Sequence, residues 1–130
     1  MSKWEFFTDG ETEGMDETFM GKLVMARKKT IELDPDRKGI PFRGTSWKRS
    51  PDANKSVIGA VPDSAHLSGL AVDLKVYSSR EASLIIQACY AAGIDRCGIY
   101  VGSDWKPIHI HLDCDPEKIS DVLFVKKEQN

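Results

Sequence analysis

The sequence has few of the features that mark a disulfide scaffold, a membrane span or a nucleic-acid binder. Its three cysteines are odd in number and include no C-x-x-C pair, so no disulfide framework is predicted. The longest purely apolar runs hold only a few residues, far short of the roughly 20 that a bilayer-spanning helix needs. Because 18 Lys+Arg stand against 20 Asp+Glu, the formal charge of −2 provides no net basic field for nucleic acid.

The chain also lacks a linker, a repeat and a low-complexity tract. Its 130 residues suit one core, so we predict a single domain over residues 1–130. The first residues contain no apolar stretch typical of a secretory signal, which predicts synthesis in the cytoplasm. In that reducing compartment, we expect Cys89, Cys97 and Cys114 to be free thiols.

Apolar periodicity predicts two main helices and several strands. One helix follows an N-cap at Asp16, and the other covers residues 80–92 after a cap at Ser78 or Ser79. Extended or strand segments are predicted at residues 4–8, 40–46, 70–77, 97–101 and 108–113. The C-terminal segment is typical either of a short helix or of a strand near residues 122–125. This order predicts an α+β domain in which an antiparallel sheet packs with two main helices.

Histidine is scarce, and the three that occur are His66, His109 and His111. The last two are separated by one residue in a predicted strand, so both side chains leave the same face. His66 lies in a predicted turn before strand 70–77, in which Asp73 is the one acidic residue. A carboxylate in so apolar a strand needs a stabilising partner, which a cation would supply. Two nitrogens and one carboxylate, with a fourth position for water, are the composition of a catalytic zinc site. Two solvated histidines on an exposed sheet face are the alternative for the pair in the strand.

Two ordered motifs enclose all three histidines. The first, Ser64-Ala-His66-Leu-Ser-Gly69-Leu-Ala71-Val-Asp73, fits the pattern S-x-H-x-x-G-x-A-x-D, and the second is His109-Ile-His111. Upstream, Thr45-Ser-Trp-Lys-Arg49-Ser-Pro-Asp-Ala-Asn54 is similar to an S-G-Y-R-S-P-x-x-N segment, with departures at Trp47 and Lys48. Over residues 6–113 the chain thereby resembles the zinc D-Ala-D-Ala carboxypeptidase family, which shares its fold with the hedgehog signalling domain.

The resemblance implies a hedgehog/DD-peptidase-like α+β fold and one zinc ion held by His66, Asp73 and His111. It also implies that His109 lies near the substrate and not on the metal. By the same resemblance, Arg49 binds or polarises the carbonyl or carboxylate of the substrate, a role that suits a planar guanidinium.

The resemblance further implies a serine contact with the site and a general base. Ser64 matches the serine, although capping a turn is an equal alternative for it. The family's base, a carboxylate, precedes the last histidine ligand by three to six residues, and residues 105–108 hold no acid. Asp104 is therefore the nearest candidate to take a proton from water. Asp113 is the second candidate, and its alternative role is that of a hydrogen-bond partner to the neighbouring histidine ligand.

As a function, the resemblance implies a zinc peptidase that cuts peptidoglycan stem peptides next to D-amino acids, as a D-Ala-D-Ala carboxypeptidase or an endolysin-type endopeptidase. We expect the stem peptide as partner, no nucleic-acid or membrane partner, and a monomer. Since no export signal is visible, we expect action on the cell wall after release from the cytoplasm, or association with a phage. The alternative is a non-catalytic zinc module of the same fold that binds a peptide or a protein, as hedgehog domains do.

Overall fold

The computed structural model describes residues 2–48 and 64–128. Within these two ranges its elements are two helices and five strands: α1 (Glu17–Leu33), β1 (Arg43–Ser46), β2 (Ala71–Lys75), α2 (Ser79–Ala91), β3 (Arg96–Val101), β4 (Pro107–Asp113) and β5 (Val122–Lys127). A single 3-10 turn, Ala65–Ser68, precedes β2. The predicted α+β class with two main helices is confirmed. In the part of the chain that is described, no helix has both the length and the apolar character to cross a membrane.

Side-chain caps decide where the two helices begin. The carboxylate of Asp16 accepts a hydrogen bond from the backbone N–H of Phe19 at 2.9 Å, and α1 starts one residue after the cap. Of the two predicted serine caps, Ser78 fills the role, because its hydroxyl accepts from the N–H of Glu81 at 3.1 Å. Such caps typically contribute about 1 kcal/mol each.

The hydrophobic core lies between the helices and one face of the sheet. Its largest buried members include Phe19, Met20 and Leu23 of α1, Ile85 of α2, and Val72, Leu74, Ile110 and Leu112 of the sheet. Because side chains alternate along a strand, the residues between these core positions in β2 and β4 face away from the helices. That second face carries the polar residues that the motifs single out.

The sheet has the strand order β1-β2-β4-β3-β5. Three of its neighbouring pairs are antiparallel, as predicted, but β5 runs parallel to β3. The predicted antiparallel sheet is therefore mixed, because this one pair is parallel. Parallel pairing needs a return connection between the two strands, and β4 with residues 114–121 provides it. The C-terminal segment, for which a helix and a strand were both open, is a strand.

The aromatic segment near the N-terminus folds as turns, so the predicted strand or extended segment at residues 4–8 is wrong. Phe6 has a φ of 73°, which lies outside the β region. The next residue, Phe7, is 3% exposed and packs edge-on against Trp47, with the ring centroids 5.5 Å apart. The apolar pattern here reflects anchoring of a loop on the core.

The three cysteines are free thiols, as predicted. Cys89 and Cys97 are buried, and burial raises the pKa of both thiols, that of Cys97 to about 12. Thiols with such raised pKa values hold little thiolate at neutral pH and behave as small apolar residues.

An acidic residue closes the C-terminal end of α1. The Asp34 carboxylate accepts from the backbone N–H groups of Asp36, Gly39 and Lys38 and pairs with Arg80 at 2.8 Å. These contacts lower its pKa from 3.8 to about 2. Since the pKa is lower in the folded than in the unfolded chain, the carboxylate stabilises the fold above about pH 4, and this contribution is lost as the pH falls through 2.

We predict that Asp34→Asn makes the protein less stable at pH 7 but flattens its acid sensitivity. The amide cannot titrate, so the variant should lose less further stability than the wild type between pH 4 and pH 2. Urea unfolding midpoints at the three pH values measure both effects. Equal acid-dependent losses in the two proteins would show that other groups control this pH range.

Candidate metal centre

Three side chains from the two motifs converge on the face of the sheet opposite the helices. One potential ligand atom each from His66, Asp73 and His111 can be chosen so that all three lie within 4.8 Å of one another. Asp73 and His111 are directly paired across β2 and β4, with the carboxylate Oδ1 2.9 Å from the ring Nδ1. The Nε2 of His66 lies 3.3 Å from the other carboxylate oxygen. The sheet register thus places Asp73 and His111 side by side, and the turn before β2 places His66 next to them.

The 3-10 turn that carries His66 depends on the serine and the glycine of its motif. Ser64 caps the turn, its hydroxyl accepting from the backbone N–H of His66 at 3.3 Å. Gly69 ends the turn with a φ of 74°, a conformation that glycine adopts without strain. A Cβ there would also lie 2.7 Å from the carbonyl oxygen of Gly14. Capping, one of the two roles predicted for Ser64, is therefore observed.

The ring of His66 is oriented by a backbone carbonyl. Its Nδ1 lies 2.8 Å from the carbonyl oxygen of Trp47, which can only accept, so Nδ1 carries the proton. In the neutral ring Nε2 then has no proton and presents a lone pair. It is buried without a hydrogen-bond partner, and the group it faces, 3.3 Å away, is the Asp73 carboxylate. Two facing electron-pair donors in a buried place are unfavourable unless a cation lies between them, so these residues fit a metal ion.

The His111 ring is held from its far side by a buried carboxylate. Its Nε2 donates to Oδ2 of Asp113 at 2.6 Å, and the other oxygen of Asp113 accepts from Nε of Arg96 at 2.8 Å. Nδ1 is thereby turned towards Asp73, the arrangement in which an outer carboxylate orients a metal-binding histidine. Asp113 therefore acts as the partner of His111, the second of its two predicted roles.

The charges of this cluster favour a bound cation. Burial alone would lower the pKa of His111, but its hydrogen bonds to Asp113 and Asp73 outweigh burial and raise the pKa to about 9. Burial likewise would raise the pKa of Asp73, yet the hydrogen bond from His111 and the neighbouring His66 ring lower it well below its usual range. Two carboxylates around one imidazole thus attract a positive charge, which a metal ion supplies in place of a proton.

His109 lies on the same face as His111 but is outside the group of three. Its Nδ1 is 2.9 Å from Oε1 of Glu128, and both side chains are about one-third exposed, 32% and 35%. This partly exposed position on the same face of the sheet is compatible with the substrate-side role that the resemblance implies.

The structure does not bring Asp104 to this cluster. Asp104 is exposed in the turn between β3 and β4, and its Oδ1 accepts from the backbone N–H of Lys106 at 3.1 Å. From Pro107 to His111 the strand advances roughly 13 Å at the usual rise per residue. The hairpin turn therefore keeps this carboxylate at the far end of β4. Arg49, the predicted substrate-binding arginine, lies outside the described residues.

Sequence reasoning missed two residues that touch the histidines. The Phe124 ring lies 6.1 Å from the His111 ring, centroid to centroid, and covers Gly98, where a Cβ would overlap it. A glycine within a strand often indicates such a close approach, and this was the available signal. No spacing or motif in the sequence indicated Glu128, because its contact with His109 depends on how β5 joins the sheet.

Comparison with known proteins agrees with the geometry. The profile of the family described as Peptidase M15 matches residues 8–113, which include both motifs and the three clustered side chains. No curated protein and no solved structure gives a significant match. The resemblance seen in the sequence is confirmed, and the chain belongs to the peptidase M15 family, that of the zinc D-Ala-D-Ala carboxypeptidases.

Proposed function

We propose that the protein is a zinc peptidase that hydrolyses peptidoglycan stem peptides next to a D-amino acid. In this proposal Nε2 of His66, a carboxylate oxygen of Asp73 and Nδ1 of His111 are the ligands of one zinc ion. Family membership supports the peptidase activity. The observation that carries the metal assignment is the buried Nε2 of His66, which has no hydrogen-bond partner and faces a carboxylate. Zinc in such a site supplies a Lewis acid that makes water nucleophilic near neutral pH.

The chain's own groups would orient the ligands and the peptide. Asp113 and the Trp47 carbonyl fix the two histidine rings, so the ligand atoms need little rearrangement when the ion binds. Ser64 acts through the turn that it caps. On the substrate side we propose His109, which is partly exposed on the same face of the sheet, and Arg49, whose guanidinium can bind two oxygens of a carboxylate.

The proposal is tested on purified cell walls and on one defined muropeptide. With zinc present we expect new amine termini, and a chelator should abolish them. The product masses identify the bond: loss of one D-alanine indicates a carboxypeptidase, whereas two peptide fragments indicate an endopeptidase. Absence of new amines with the zinc-loaded protein would overturn the proposal.

A second candidate function is a zinc-binding module that holds a peptide without cutting it. The observation in its favour is the position of the two predicted bases, because Asp104 is remote and Asp113 is committed to His111 and Arg96. Stoichiometric zinc together with stem-peptide binding, but without cleavage, would support this function over the first.

We predict that Asp104→Ala leaves the cleavage rate unchanged within about twofold. A positioned general base contributes about 10²–10⁴ to a rate, so a role in proton transfer would be evident. The rate is measured on the defined muropeptide, with zinc content and melting temperature as controls for folding. A loss of 100-fold or more with both controls unchanged would restore Asp104 as the base.

A further inference from the structure

The C-terminal strand lies beyond the segment that matches the family, yet it contacts the site. The match ends at residue 113, whereas β5 covers Val122–Lys127. Phe124 of this strand neighbours the His111 ring, and Glu128, the next residue after the strand, binds His109. Residues outside the family match therefore complete the surroundings of two site histidines.

The backbone places Glu128 beside His109. Tyr100 of β3 pairs with Lys126 on one side and with His109 on the other, so the three residues form one row across the sheet. Two residues further along, the backbone N–H of Glu128 donates to the carbonyl oxygen of Val101 at 2.8 Å. This bond fixes the backbone position of Glu128. From there its carboxylate reaches across β3 to Nδ1 of His109.

We propose that Glu128 is a positioning residue that fixes the tautomer and the orientation of His109. This inference rests on the proposed function in that His109 is taken to meet the substrate. A carboxylate can only accept, so Nδ1 carries the proton and Nε2 is the nitrogen left for the substrate. Among the described residues Nε2 of His109 has no partner. Asp113 fixes the opposite nitrogen of His111. It accepts a hydrogen bond from Nε2, so Nδ1 is the nitrogen left for the metal ion.

The partial exposure of the pair separates positioning from folding. Ion pairs as exposed as this one contribute little to stability, so removing Glu128 should leave the fold intact. Without the carboxylate, however, the imidazole can rotate and exchange tautomers. We therefore expect the substitution to affect the chemical step more than the stability of the protein.

The test uses the full chain, loaded with zinc, as wild type, Glu128→Ala and Glu128→Gln. Long-range ¹H–¹⁵N NMR correlations report which nitrogen of His109 carries the proton. We expect Nδ1 in the wild type, a shift towards Nε2 in Glu128→Ala, and retention of Nδ1 in Glu128→Gln, whose amide oxygen can accept. For Glu128→Ala, kcat should fall about 10- to 100-fold, the range for carboxylates that orient metal-bound histidines, with KM changed less than about twofold.

Glu117→Ala, which removes an exposed carboxylate from the loop before β5, is the matched control and should change none of these quantities. The inference is overturned if His109 carries its proton only on Nε2 in the wild type, or if Glu128→Ala leaves tautomer or kcat unchanged. If the wild type cleaves nothing, the proposed function fails, and the tautomer measurement still decides whether Glu128 positions His109.

Discussion

Replacing His66 with alanine is expected to lower zinc affinity by more than about 100-fold and to abolish peptidase activity. Losing the outer partner of a ligand already costs about 10- to 100-fold in affinity, so losing a ligand should cost more. Zinc content after dialysis and cleavage of the defined muropeptide measure the two losses. In this variant the turn before β2 would no longer place a nitrogen ligand opposite the Asp73 carboxylate.

The same variant should also lose its response to zinc in thermal unfolding. A ligand at 100 times its dissociation constant stabilises the folded state by about 2.7 kcal/mol, so zinc should raise the melting temperature of the wild type but not that of His66→Ala. His109→Ala is the control, because it should retain zinc while losing activity. Full zinc occupancy in His66→Ala would refute the ligand assignment.

Replacing Asp113 with alanine is expected to destabilise the protein by about 3–5 kcal/mol, because removing one partner of a buried ion pair leaves the other charge unpaired. The side chain of Asp113 is 2% exposed and that of Arg96 is 13% exposed, so water cannot fully replace the lost partner. His111 loses its outer support in the same step, which should weaken zinc binding about 10- to 100-fold. Urea unfolding with chelator present isolates the first effect, and zinc titration gives the second.

Glu32→Ala provides the comparison for this experiment. It removes an exposed partner of Lys29 on α1, a pair expected to contribute no more than about 0.5 kcal/mol. If Asp113→Ala costs as little as this control, Asp113 does not hold a buried charge in the folded protein. A stability loss with unchanged zinc affinity would remove its role in orienting His111.

The features predicted well from the sequence depend on local chemistry. Asp16 was identified as a cap, and Ser78 as one of two adjacent candidates, because one side chain and one nearby N–H suffice to start a helix. Strand alternation placed the histidines of β4 on one face, and the motifs brought His66 and Asp73 to the same place.

The features that the sequence did not predict depend on distant parts of the chain. The parallel pairing of β5 follows from the path of residues 114–121, and the contact between Glu128 and His109 follows from that pairing. The Arg96–Asp113 pair likewise joins two strands whose residues show no shared motif. Asp104 was chosen by its spacing in the sequence, which does not account for the length that β4 adds between the turn and His111.

The register between β2 and β4 places the core and the metal cluster under one constraint. Val72 pairs with Leu112 and Leu74 with Ile110, while Asp73 between them pairs with His111. Inserting one residue within either strand would exchange the faces of all residues beyond it, exposing apolar side chains and burying ligands in one step. Inserting two would preserve the faces and keep the core apolar, yet Asp73 would no longer lie opposite His111. We therefore expect length changes to be tolerated in the β3–β4 turn but not inside these two strands.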